Sequence, residues 1–258
     1  VSGLQVVGVS QGSSRGRGAN KRWLQLLSDA SFDVQRGEVI AIVGRPLSGK
    51  TTLLHFAAGL TVPETGCVMF GDVNLNTLSR RKRAKLRRAG MIWVNRVGMS
   101  QKLHVAKMVG WPLVTRRQGR SETERRATEM LERVGAAHCA EQRWDDLSRG
   151  EQLLAGLAQG FALREPRIVV IDDLFDGHGE PCTRQAFDLV RSLIQEANCS
   201  CGVLISVTDT ESSLYADRVW SLENASLIPT HGHRDGHADV VPLRPDQESG
   251  GSRRVGWS

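Results

Sequence analysis

The chain has 258 residues, 34 of them Lys or Arg against 28 Asp or Glu, and a formal charge of +6. Its 40% hydrophobic and 24% charged content is that of a globular chain able to bury a sizeable core. No run of eighteen apolar residues occurs, which excludes a helical membrane span, and residues 1–4 carry neither the charged nor the apolar part of a secretory leader.

In chain order, residues 4–9 are expected as a strand, 11–20 as a Gly/Ser/Arg loop, and 30–34 as a second strand that alternates apolar and polar residues before Arg36-Gly37. The apolar run 39–43 leads into Gly44-Arg45-Pro46-Leu47-Ser48-Gly49-Lys50-Thr51-Thr52, and 53–58 reads as a helix. Strand, G-x-x-x-x-G-K-[ST] and helix, in that order, form the context of a phosphate-binding loop. Backbone N–H groups of such a loop point at phosphate oxygens, and the helix start adds a favourable dipole. Lys50 is expected to reach the β- and γ-phosphates of a nucleotide, and the Thr51 hydroxyl to ligate Mg²⁺.

Residues 63–66 make a turn and 67–70 a short strand. Between Arg80 and Arg88 stand seven basic residues in nine. They form either a solvated helix face or a surface for anionic lipid head groups. Nucleic acid is disfavoured as a partner, because no aromatic residues interleave with the charges. Residues 90–95 are expected as an apolar strand and 96–150 as mostly helical. Ser121-Glu122-Thr123-Glu124 reads as a capping box that opens a helix to about residue 134, with Gly135 as its stop.

The apolar strand expected over 168–173 ends in two carboxylates, Asp172 and Asp173. An amphipathic helix over 184–197 and a buried strand over 202–207 follow. Strands alternating with helices imply an α/β fold with a parallel sheet. Residues 230–258 turn to His, Gly, Pro, Ser and Arg and are expected as a flexible polar tail, with His231, His233 and His237 as weak metal ligands at most. Five scattered cysteines, at 67, 139, 182, 199 and 201, are expected to be reduced thiols of a cytoplasmic protein. Cys199-Ser200-Cys201 lacks the second pair that zinc spacing requires.

Leu147-Ser148-Arg149-Gly150-Glu151-Gln152 resembles the LSGGQ signature of ABC-type ATPases in its LSGGEQ form, with Arg149 in place of the first glycine. The order of phosphate loop, signature and carboxylate strand also matches that family, over roughly residues 4–228. Within it, the segment 86–95 is most similar to the ATPase subunits of lipoprotein-release and macrolide-export systems. The resemblance implies a P-loop NTPase fold: an ABC-type ATPase core with an antiparallel β subdomain and a helical subdomain at about 96–160, together a nucleotide-binding domain over 1–229. It implies ATP and Mg²⁺ as ligands, with Asp172 holding the metal beside Thr51 and Asn95. It further implies a head-to-tail pairing in which Ser148, Arg149, Gly150 and Glu151 reach the partner's ATP.

Several positions depart from the family's pattern. The glutamine that touches Mg²⁺ and the attacking water corresponds to Asn95, with Gln101 as the alternative. The catalytic glutamate corresponds to Asp173, the switch histidine to Thr208, the D-loop aspartate to Gly179, and a loop glycine to Leu47. No aromatic residue near 9–12 is placed to stack on adenine. Asp173 is one methylene shorter than Glu, so its carboxylate stands ~1 Å back, and a misplacement of ~1 Å costs about a hundredfold in rate. Asn95 is shortened likewise, Thr208 lacks the reach and charge of an imidazole, and Leu47 strains the loop if its position requires positive φ.

The implied protein is an ATP-binding subunit with impaired hydrolysis. It would pair with a second, competent ABC ATPase subunit and an integral membrane permease subunit, peripheral to the cytoplasmic face of the plasma membrane. Two alternatives stay open: an active homodimeric export ATPase with Asp173 as general base, and a non-transport ABC protein with a regulatory or nucleic-acid role. Met99, Leu103, Val105 and Met108 either pack against the membrane subunit or lie inside the helical subdomain.

Overall fold

The computed structural model describes residues 3–15, 22–95, 103–163, 165–175, 180–196 and 201–230. Ten strands form one sheet: β1 (Leu4–Arg15), β2 (Arg22–Val34), β3 (Val39–Val43), β4 (Thr65–Phe70), β5 (Val73–Asn74), β6 (Met91–Asn95), β7 (Ile168–Asp172), β8 (Gly202–Val207), β9 (Arg218–Glu223) and β10 (Ser226–Thr230). Their order is β5-β4-β1-β2-β10-β9-β3-β8-β7-β6. Strands β9, β3, β8, β7 and β6 run parallel, while β2-β1-β4-β5 is an antiparallel sheet. The two parts meet at β10, which pairs antiparallel with β9 but joins β2 through the registered pair Ser226↔Ser28.

The parallel strands read as continuous apolar runs because both faces of the sheet are covered. On one face, Ile40, Ile42, Val170 and Leu204 pack with Leu53 and Leu54 of α1 (Lys50–Ala57) and with the antiparallel strands' Leu4, Val6 and Phe32. On the other, Val39, Ala41, Val169, Ile171, Val203 and Ile205 pack with Phe187 and Val190 of α6 (Glu180–Glu196). That second core continues into a helical unit of α3 (Val105–Val114), α4 (Arg120–Arg133) and α5 (Arg149–Gly160). The basic run forms α2 (Arg80–Gly90), with Ser79 as N-cap; a single turn, α7 (Thr210–Ser213), follows β8. No described helix is long and apolar enough to cross a membrane.

Several expectations need correction. Of the loop expected over 11–20, residues 11–15 are strand, since β1 runs to Arg15 and pairs with β2 through three shifts of register; 16–20 lie outside the described residues. Those irregularities, with Gly8 at φ +58°, break the alternation that would have marked the strand. The capping box at Ser121 does not form: α4 starts at Arg120 with Gly119 as N-cap. Glu122 and Glu124 instead pair with Arg125 and Arg120 along the helix surface. Gly135 does stop the helix: at φ +76°, its N–H donates to Glu132 O and that of Ala136 to Leu131 O. Strands β9 and β10, unforeseen from the sequence, complete the junction. The tail from 231, Cys199, Gly179, Gln101 and Met99 lie outside the described residues.

At the junction, the Arg218 guanidinium donates to both Asp33 on β2 and Glu38 ahead of β3, at 2.9 and 2.5 Å. Beside it, Asp217 accepts from Val39 N–H and from Arg191 of α6. Arg218→Met is expected to leave the mostly buried Asp33 without its counter-charge and to destabilise the fold by ~1–3 kcal/mol. The urea midpoint of the variant, at unchanged slope, measures this.

Candidate nucleotide site

The site residues emerge at the carboxyl ends of adjacent parallel strands, where open α/β sheets bind ligands. Gly44 follows β3, Thr208 follows β8, Asp172 closes β7 and Asn95 closes β6. Register fixes their spacing: Asn95 pairs with Asp172, Val43 pairs with Val207, and Gly44 N–H donates to Val207 O at 3.2 Å.

The phosphate loop turns sharply between β3 and α1. Gly49 is the N-cap at φ +108°, and a Cβ there would stand 2.9 Å from Leu26 O. The helix ladder begins with Leu53 N–H to Gly49 O. The N–H groups of the first turn therefore have no intrahelical acceptor, and no side chain caps them. Lys50 is buried, and its ammonium folds back to donate to Gly44 O and Arg45 O. Ser48 Oγ is buried without a hydrogen-bond partner. A cleft of about 200 Å³ opens here, lined by Leu26, Leu47, Ser48, Gly49, Lys50, Thr51 and Thr52. A helix start whose first N–H groups precede the ladder, an orphaned hydroxyl and a buried ammonium around one cleft fit a polyphosphate.

Leu47 has φ +65° and is 81% exposed. The strain anticipated for a side chain in this position is therefore present. Asp172 is buried, and Ser206 Oγ donates to its Oδ1 at 2.6 Å. The same hydroxyl accepts from Asp173 N–H at 3.0 Å, and Asp173 lies just past the strand end at φ +54°. Ser206 thus orients one carboxylate and anchors the backbone of the next. Behind α1, the His55 ring packs on Trp93 of β6. Burial lowers the His55 pKa against the opposing pull of Asp172.

The signature segment lies apart, at the start of α5. Ser148 is the N-cap: Glu151 N–H donates to Ser148 Oγ, and Glu151 Oε2 accepts from Ser148 N–H at 2.7 Å, a complete capping box. His138 Nε2 stands 2.9 Å from Glu151 Oε1. Hydrogen bonds from Ser148, then from His138 and Cys139, pull the Glu151 carboxyl down to about 2. Burial, then the nearby Glu151 carboxylate, push the Cys139 thiol up to about 11. Arg149 and Gly150 open the helix, and a Cβ at Gly150 would meet nothing within 4 Å.

Residues 44–52, 95, 172–173 and 208 are thus gathered at one edge of the sheet, whereas 148–151 belong to the helical unit. Two contributors went unnamed in the sequence reading. Ser206 could have been found from its place one residue before the end of a buried strand adjacent to Asp172. Leu26 has no sequence signal, because its position in the cleft depends on the irregular pairing of β1 and β2. Val105 and Met108 are interior, with exposures of 0% and 4%, so the exposed apolar side chains of α3 are instead Trp111 and Val114.

A family described as ABC transporter matches residues 27–176. The lipoprotein-releasing system ATP-binding protein LolD of Bordetella pertussis is 32% identical over 207 residues, covering 80% of this chain and 88% of its own. The phosphonates import ATP-binding protein PhnC 1 of a Ruegeria species is 30% identical over 213 residues, covering 79% and 81%. A solved dimeric ATP-binding cassette in a post-hydrolysis state, bound to ADP and Pi, superposes with a TM-score of 0.75 at 21% identity. It covers 87% of this chain and 96% of that one, and at such identity the likeness concerns the fold.

A left-handed backbone costs a side-chain-bearing residue ~1–2 kcal/mol. Glycine returns part of that gain through its freer unfolded chain. Leu47→Gly is expected to raise stability by up to ~1 kcal/mol, read from the thermal midpoint. Glu151 has a folded pKa of about 2 against an ordinary 4.5, so its stabilising contribution is present above 4.5 and fades as pH falls towards 2. The stability difference between the parent chain and Glu151→Gln should therefore shrink across that acid window, in acid unfolding followed by circular dichroism.

Proposed function

Since the chain belongs to the ABC transporter ATP-binding family, we propose that it is a catalytically weakened ATP-binding subunit. In this reading it pairs with a second, competent ATPase subunit and serves an integral membrane permease from the cytoplasmic face. The observation that carries the reading is the contrast between its two half-sites. The signature helix has a complete Ser148–Glu151 cap, while the position for general-base chemistry is the short Asp173, held by its N–H on Ser206.

The chain's own residues divide the work. The first-turn N–H groups of α1 and the Lys50 ammonium bind the β- and γ-phosphates, with Ser48 Oγ as a further donor in the cleft. Leu26 and Leu47 offer apolar surface at its rim in place of an aromatic platform. Thr51, Asp172 and Asn95 would hold Mg²⁺, whose charge draws together and neutralises the phosphate oxygens. Ser206 keeps the Asp172 carboxylate in one orientation. Asp173, set back by a methylene, and Thr208, with no titratable group, orient the attacking water poorly. Ser148 and the N–H groups after it are aimed at the partner's nucleotide.

For the membrane subunit, the surface with the right character is a groove of about 320 Å³ between α2, β6 and α3, bordered by Arg87, Arg88, Trp93, Trp111 and Arg116. Arg116 Nη2 is buried there without an acceptor, which suits a carboxylate on an incoming helix. Relatives of similar identity serve lipoprotein release and phosphonate import, so their likeness bears on the ATP-binding cassette rather than on a cargo.

Lys50→Ala removes a charge-assisted phosphate contact worth ~1.5–3 kcal/mol and is expected to weaken ATP binding by ~10–100-fold in calorimetric titration. The purified chain alone should hydrolyse ATP slowly, and Asp173→Glu should raise its turnover severalfold. Rapid turnover by the isolated chain, abolished in Lys50→Ala, would show an active homodimer and overturn the weakened-subunit reading.

A further inference from the structure

We propose that His138, Cys139 and Glu151 form a Zn²⁺ site beside the signature helix. The ligand atoms of these three side chains all lie within 4.8 Å of one another. They come from two elements, the 3-10 turn Ala137–Cys139 and the first turn of α5. In a tetrahedral site with bonds of ~2.0–2.3 Å the ligand atoms stand ~3.3–3.8 Å apart. Small side-chain rotations therefore close the set, and the exposed His138 ring has room to make them.

The donor types select the metal. Imidazole nitrogen, thiolate and a carboxylate oxygen suit a borderline-soft ion, whereas Mg²⁺ and Ca²⁺ favour oxygen alone. Thiolate and carboxylate together neutralise the dication. Three protein ligands leave a fourth position for water or a group from outside. A surrounding bond already orients one of the ligands: Ser148 N–H holds Glu151 Oε2 and leaves Oε1 for the metal. Without metal, hydrogen bonds from His138 and Cys139 converge on Glu151. Zn²⁺ would occupy the place of those protons, and the Cys139 proton would leave to solvent, so uptake strengthens as pH rises. Entry is from the His138 side, where the histidine and glutamate side chains are 60% and 27% exposed.

Glu151 is also half of the cap that fixes Ser148. A metal on Oε1 would tie the signature turn to the 137–139 turn and stiffen the segment that approaches a partner's nucleotide. That consequence rests on the partner-facing reading above; metal binding itself does not.

The test is a Co²⁺ titration of the full reduced chain, without ATP or partner, followed by displacement with Zn²⁺. The expected result is a thiolate-to-cobalt charge-transfer band with tetrahedral d–d bands, both bleached by Zn²⁺. Cys139→Ser should lose the charge-transfer band, and Cys67→Ser should keep it. His138→Gln, at an exposed position, should weaken Zn²⁺ binding by roughly a hundredfold. A band that survives Cys139→Ser, an octahedral spectrum alone, or unchanged affinity in His138→Gln would each overturn the site. Because the assay involves no nucleotide, its failure would leave the ATP-binding reading standing, and the converse also holds.

Discussion

Strands β3, β7 and β8 have no face to water, and the rest of the molecule is arranged around that fact. A strand buried on both sides must satisfy its backbone within the ladder, so it can be left only at its ends. Those ends carry much of the candidate nucleotide site: the loop after Val43, the carboxylate of Asp172 and the hydroxyl of Thr208. Register then does what no single side chain could do, bringing segments far apart in sequence to within a strand spacing of each other. The same burial makes Asp172 depend on the hydroxyl of Ser206, since a carboxylate in an apolar wall needs a donor.

The phosphate loop and the signature turn are built on different physical principles. The phosphate loop is a strained turn, with a left-handed leucine and a glycine cap, and its donors face into a cleft. The signature is a relaxed helix start whose donors are organised by a closed ring of local hydrogen bonds. Strain in the first is compatible with weak chemistry in the same chain, because binding needs only donors, while hydrolysis also needs a base at the correct reach. On the proposed pairing, completeness in the second would serve a neighbour whatever this chain's own turnover.

Much of the arrangement was legible in the sequence for identifiable reasons. The phosphate loop, the carboxylate strand and the signature are short motifs whose local order is enough to read them. The central strands are apolar without interruption, which only two-sided burial explains. Elements whose existence depends on distant pairing were not legible. The hairpin of β1 and β2 hides behind glycines and shifts of register, and β9 and β10 gain their identity from β3 and β2. The misread cap at Ser121 shows the limit of local pattern: Gly119 already supplies the extended residue before the helix, and Glu124 is drawn to Arg120. Of the site, the loop and carboxylates were readable, while Ser206 and Leu26 acquire their roles from tertiary neighbours.

The joint between β10 and β2 has a mechanical consequence. The backbone ladder there is reduced to the pair Ser226 and Ser28, in which Ser28 N–H donates to Ala225 O. Shared apolar packing and the Arg218 cluster bear the remaining load. Backbone opening on the two sides of such a seam is coupled weakly, so amide protons of the antiparallel strands should exchange as a cooperative unit distinct from the parallel core. Leu26 lines the cleft from one side of the seam and α1 from the other. The width of the nucleotide cleft is thereby tied to a largely buried ionic joint, and whatever loosens Arg218 from Asp33 and Glu38 acts on the cleft from a distance.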